Sequence, residues 1–221
     1  MACIRTILLT GLVGLALAIV LAPLNSAADD KKNPEPDVIY VPTPTTVVDK
    51  MLEMAKVTKD DILYDLGCGD ARIPVTAAKK FGCKTKGFDI DPDRMKDSLE
   101  TIKKHMSGEL ATYQTKNPSG SDWTIQRITL NTDLVTIEKK NIFDLDLSKA
   151  SVVTLYLLPE LNVRLIPQLK KLKDGSRIVS HDFDMKGAKP KQVIRMMAKD
   201  DEGREAEHLV YLWTVPWEKE D

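Results

Sequence analysis

The chain has 221 residues, long enough for one well-buried domain and short for two. Its 43% hydrophobic and 29% charged residues are those of an ordinary globular protein. A formal charge of -1 supplies no bulk attraction to nucleic acid or to an anionic membrane surface, and no nucleic-acid partner is expected.

Residues 1–28 read as a secretory signal. Arg5 gives a charged start, residues 7–22 are apolar, and Ser26-Ala27-Ala28 offers small residues for cleavage. The apolar run is long for a signal, so an uncleaved membrane anchor over residues 7–24 is the alternative. With Arg5 on the short flank, either version places the body outside the cytoplasm. Residues 29–39 form a polar linker without hydrophobic period. Tyr40-Val41-Pro42-Thr43-Pro44 then makes a stiff extended segment. Thr45 or Thr46 can cap a helix that carries Val47, Val48, Met51, Leu52 and Ala55 on one face.

The next stretch organises the rest. Ile62-Leu63-Tyr64-Asp65-Leu66 is an apolar strand that runs into Gly67-Cys68-Gly69 and then a helix over residues 72–81, with Pro74 in its first turn and Gly82 as C-cap. The glycines allow a tight turn, and a turn so placed presents free N–H groups at the start of a helix. A dinucleotide fingerprint wants a third glycine where Arg72 stands. Asp65, two residues before Gly67, is badly placed beside a pyrophosphate and well placed beside an ammonium group. Asp89 ends the next apolar stretch, residues 81–88, at the position of a ribose-binding acid, 20 residues after Gly69. The ligand so described has a ribose and a cationic end but no pyrophosphate. S-adenosylmethionine fits.

Asp65-Leu66-Gly67-Cys68-Gly69-Asp70-Ala71, followed by Gly87-Phe88-Asp89-Ile90-Asp91-Pro92, resembles the first two motifs of class I S-adenosylmethionine-dependent methyltransferases. The resemblance implies a Rossmann-like α/β fold: a doubly wound, mostly parallel sheet of seven strands with a C-terminal antiparallel hairpin, here over residues 40–221. It also implies that the segment of residues 40–55, with its helix, folds over the cofactor; the alternative is a simple packing helix.

The remaining elements fit that frame with one exception. Asp91-Pro92 starts a helix reaching His105, with Met95, Leu99, Ile102 and Met106 as its apolar face. Residues 107–133 are an insertion relative to the family, with a turn over residues 117–121 and one extra strand over residues 123–128. It serves as surface decoration or as a substrate lid. Strands are expected over residues 134–138, 151–158 and 176–183, a helix with a kink at Pro167 over residues 164–172, and the closing hairpin over residues 191–197 and 209–215. Of three cysteines, Cys3 lies in the leader, while Cys68 and Cys83 are too scattered to make a disulfide framework or a metal site.

The expected cofactor set is therefore Asp65, Gly67, Cys68, Gly69, Asp89, Ile90, Asn141 and Ile142. By the resemblance, Asn141 accepts from the adenine amino group in place of the usual acid. The methyl acceptor belongs beyond the first and fourth strands, near Tyr156 and Glu160, with His181 and Asp182 at the end of the fifth strand as candidates to orient or deprotonate it. Arg72 is expected to pair with Asp70 rather than to bind an acceptor. Val41-Pro42-Thr43-Pro44, Gly69-Asp70-Ala71-Arg72 and Tyr156-Leu157-Leu158-Pro159 resemble a bacterial branch related to small protein-lysine methyltransferases. Ala71 replaces a glycine common there, which is tolerable if the residue is already helical. The acceptor itself, protein or small molecule, is left open. The alternatives are an S-adenosylmethionine-binding module without turnover and a nucleotide-cofactor oxidoreductase.

Overall fold

The computed structural model describes residues 39–116 and 122–220. The leader, most of the linker and the turn over residues 117–121 lie outside the described residues.

The elements run α1 (Thr45–Met54), β1 (Ile62–Leu66), α2 (Arg72–Phe81), β2 (Lys84–Asp89), α3 (Pro92–His105), β3 (Leu110–Lys116), β4 (Trp123–Leu130), β5 (Val135–Lys139), a 3₁₀ turn (Ile142–Asp144), β6 (Val152–Leu155), α4 (Pro159–Leu169), β7 (Arg177–His181), β8 (Gln192–Lys199) and β9 (Glu205–Thr214). They build a sheet of nine strands in the order β3-β4-β5-β2-β1-β6-β7-β9-β8. The five in the middle are parallel. β9 reverses direction against β7 and pairs with β8, which is the expected closing hairpin.

Alternation assigns the two faces. Leu63, Val152 and Val179 pack with α1 residues Val47, Met51 and Leu52, whereas Tyr64, Val153 and Ile178 pack with α4 residues Leu165 and Leu169. Asp91 caps α3 by accepting from the Asp93 N–H, with Pro92 at the first helical position. At α1 no threonine serves: Pro44 occupies the cap position without a side-chain hydrogen bond.

The strand count is corrected from seven to nine, because the insertion is a whole hairpin. β3 and β4 pair with each other across a bulge at Tyr113/Gln114, and β4 continues the sheet beyond β5. β4 turns Ile125, Ile128 and Leu130 onto Met95 and Ile102 of α3, so the hairpin roofs apolar surface that would otherwise face water. A second correction concerns the stretch after β6. The sheet is left at Leu155, and α4 begins at Pro159 rather than at residue 164, since proline at the first helical position loses no hydrogen bond.

Candidate active site

A cleft lies beyond the carboxyl ends of β1, β2, β5 and β6, where an open parallel sheet places its ligand. It holds about 920 Å³ of empty space, part of it open to solvent. Its wall includes residues 39–43, Asp65, Gly67, Cys68, Asp70, Arg72, Asp89, Ile90, Asn141, Ile142, Phe143, Tyr156, Leu157 and Leu161. The expected cofactor set is brought together here. Gly69 lies beneath it, and a Cβ at Gly69 would run into the ring of Tyr40. The segment around residues 40–44 is thus a strap lying on the glycine turn, whereas the helix that follows it, α1, packs against the sheet.

Most N–H groups of the turn are engaged within the protein. Those of Gly67 and Cys68 both donate to the Phe88 carbonyl, at 2.8 and 3.0 Å. That of Gly69 donates to Asp89 Oδ2 at 2.9 Å, and that of Arg72 to Asp70 Oδ1 at 3.1 Å. Ser98 Oγ on α3 holds the Gly69 carbonyl at 2.8 Å. With those donors engaged internally, the turn is a poor cradle for pyrophosphate. Ala71 is also not helical: its φ of 63° is left-handed, a conformation that costs a residue bearing a Cβ about 1–2 kcal/mol.

Two acids on the floor carry the electrostatics. Asp65 is 2% exposed, and Thr154 Oγ1 donates to its Oδ1 at 2.6 Å. Burial, opposed by that hydrogen bond and reinforced by Asp89 and Asp70, pushes the Asp65 carboxyl up to about 7. Burial likewise raises Asp89, against the N–H groups of Asp91 and Gly69 that it accepts. Among the described residues neither acid has an ion pair. Two buried acids without a cation beside them are compatible with a ligand that brings a cationic amino end and ribose hydroxyls, as S-adenosylmethionine does. Asn141 does line the cleft, but its Oδ1 already accepts from the Phe143 N–H at 3.0 Å, capping the 3₁₀ turn. One lone pair and the amide N–H groups remain for a ligand.

Arg72 pairs with Asp70, as expected, and does more. Its Nη2 lies 2.8 Å from both Asp70 Oδ2 and Asp201 Oδ2, and its Nη1 donates to the Thr43 carbonyl at 2.9 Å. One guanidinium thereby ties the glycine turn, the strap and the turn between β8 and β9 together.

Of the residues expected on the acceptor side, only Tyr156 reaches the cleft wall. Burial, then the charge of Asp182, pushes its hydroxyl up to about 12, so it stays protonated at neutral pH. Glu160 is exposed on the first turn of α4, away from the wall. His181 is wholly buried behind Tyr156, with ring centroids 3.9 Å apart and Nδ1 3.1 Å from Thr43 Oγ1. Burial lowers the His181 pKa. Asp182 sits beside it at a φ of 58°; burial opposes its ionisation, but hydrogen bonds from His181, the Leu209 N–H and His208 bring it down to about 2. Sequence reading passed over Thr43, Arg94, Ser98, Thr154 and His208. Arg94 lies over the Tyr40 ring at 4.4 Å. No spacing pattern marks these residues, because they reach the site from four parts of the chain: the strap, α3, β6 and β9.

Known proteins resemble this chain in sequence and in fold. The family model described as the ANTKMT methyltransferase domain matches residues 119–192. A protein-lysine N-methyltransferase from Saccharolobus islandicus is 41% identical over 182 residues, 81% of this chain and 95% of its own length. A solved RNA methyltransferase from Salinibacter ruber, in complex with S-adenosyl-L-homocysteine, is 39% identical at a TM-score of 0.60, over 80% of this chain and 94% of that one. The precorrin 8w decarboxylase from Methanobacterium thermoautotrophicum shares the fold, with a TM-score of 0.54 over 80% of this chain and 92% of that one at 17% identity. With a curated relative at this identity and coverage, the chain belongs to the class I S-adenosylmethionine-dependent methyltransferases.

Proposed function

We propose that the methyl acceptor is a lysine side chain of a protein. The supporting observation is the acceptor end of the cleft, where Val41, Tyr156, Leu157 and Leu161 make a wall suited to a four-carbon stem. A lysine must be neutral to attack, and an apolar wall favours the neutral amine by withholding solvent from the ammonium. The Tyr156 hydroxyl, kept protonated, can accept a hydrogen bond from that amine and aim its lone pair. The bound cofactor supplies the electrophilic methyl group. The chain's own part is to orient and desolvate: Asp65 and Asp89 hold the cofactor ends, the strap covers it, and Tyr156 places the acceptor. The Saccharolobus relative supports the same reading.

RNA is the second reading, because the Salinibacter relative carries that name. The test is transfer of labelled methyl from S-adenosylmethionine into a cell extract by the purified chain. Label that resists ribonuclease, is released by protease and is recovered as methyl-lysine supports the proposal. Ribonuclease-sensitive label overturns it in favour of RNA. Cofactor binding without label in either fraction points to a binding module. On the leader pattern of residues 1–28 we also propose export of the protein, which fractionation and N-terminal sequencing of the cellular product would test.

A further inference from the structure

Behind the acceptor wall, three side chains from separate elements converge. His181 Nε2 ends β7, Asp182 Oδ2 follows it, and His208 Nδ1 comes from β9. The two ring nitrogens are 2.9 Å apart, and Asp182 Oδ2 is 3.2 Å from His181 Nε2 and 3.1 Å from His208 Nδ1. Among the described residues this is the one group of three such side chains with ligand atoms this close together.

Hydrogen bonding alone accounts poorly for the triangle. Three atoms make three close edges, and only the two ring nitrogens can carry a proton between them. With one proton, at least one edge sets lone pair against lone pair. With two, the 2.9 Å edge sets donor against donor. A cation drawn on by all three lone pairs leaves no edge unfavourable. The distances suit one: ligand atoms about 2.1 Å from a metal lie about 3.0 Å apart at right angles and about 3.4 Å apart in a tetrahedron. The observed edges fall nearer the octahedral face.

The supports are those of a ligand set. Thr43 Oγ1 engages the far nitrogen of His181 at 3.1 Å, and the Leu209 N–H holds the other carboxylate oxygen of Asp182 at 2.8 Å, so each directs its remaining atom into the triangle. Asp182 accepts a left-handed backbone to stand there. His208 and Asp182 keep 13% and 25% of their side chains exposed, which leaves an entry path and room for water at the open positions.

We propose that His181, Asp182 and His208 bind one first-row divalent transition metal ion facially. The ion ties β7 to β9 and, through Thr43, to the strap, and so fixes the ring of Tyr156 that lies on His181. Its role is positional, since none of the three ligands lines the cleft. The proposal does not depend on which acceptor is used.

The test is direct metal binding to the full chain, without a histidine tag and stripped with chelator, by calorimetry with Zn²⁺ and by the visible spectrum with Co²⁺. One equivalent at micromolar affinity or tighter is expected, with a rise in unfolding temperature that chelator reverses. His208→Gln and Asp182→Asn should each weaken binding at least a hundredfold. His105→Gln, which alters the chain's remaining histidine, should leave it unchanged. Absence of a stoichiometric site, or binding that His208→Gln leaves intact in a chain still titrating with S-adenosyl-L-homocysteine, would overturn the proposal.

Discussion

The two ends of the cleft are built differently. At the cofactor end, Asp65, the glycine turn and Asp89 fall within 25 residues (65 through 89), and backbone hydrogen bonds lock them to one another. At the acceptor end, Thr43, Tyr156, His181 and His208 come from four separate elements, 165 positions apart at the extremes (208 minus 43). A ligand common to a whole family can be held by local structure. The group behind Tyr156 is assembled from side chains that only the folded sheet brings into contact, so that end can change while the glycine turn stays the same.

That contrast can be broken from either side. The largest effect is expected at Asp89. Asp89→Ala removes the proposed ribose partner and also releases the N–H groups of Gly69 and Asp91, so affinity for S-adenosyl-L-homocysteine should fall by about a hundredfold, as charge-assisted hydrogen bonds are worth roughly 1.5–3 kcal/mol each. Calorimetry reads this directly, and unchanged affinity would remove the ribose assignment.

Next comes the pH dependence set by Asp65. Its pKa in the ligand-free fold, about 7, lies above its unfolded value. The stability this group contributes is therefore fully present below the unfolded pKa and declines as pH rises to about 7. A cationic ligand reverses the preference, since it favours the carboxylate. Cofactor affinity should rise about tenfold from pH 6 to pH 8, one decade for each unit below the pKa. Asp65→Asn should flatten that rise and stabilise the ligand-free chain at pH 8 in denaturant titration.

At the other end, Tyr156→Phe keeps the ring on His181 but loses the hydroxyl. Methyl transfer to a lysine acceptor should slow about tenfold, the cost of one hydrogen bond of about 1.4 kcal/mol, with cofactor affinity unchanged. A matching loss of cofactor affinity would show that the two ends are not separable. The smallest effect is at Ala71. Ala71→Gly relieves a left-handed Cβ but loses a buried methyl and frees the unfolded chain, so the midpoint should shift by no more than about 1 kcal/mol, towards stability.

The sequence by itself determined the strand, glycine turn and helix that open the cleft, the two acids beside them, and the parallel core. A strand-turn-helix with Gly67 and Gly69, and an acid at the end of each of two neighbouring strands, is local information. Proline and glycine punctuation at Pro92 and Gly82 likewise marked helix ends that the structure keeps. Tertiary structure decided the rest. The left-handed Ala71 follows from how β1 must turn into α2, not from the identity of the residue. The β3–β4 hairpin was half legible, because the outer strand β3 is mostly exposed and leaves little alternation to read. His208 fell just before the expected strand over residues 209–215, and β9 in fact begins at Glu205. Only the antiparallel register that pairs His181 with Val210 brings its ring to His181, because contacts between distant strands are fixed by the pairing of the sheet and not by spacing along the chain.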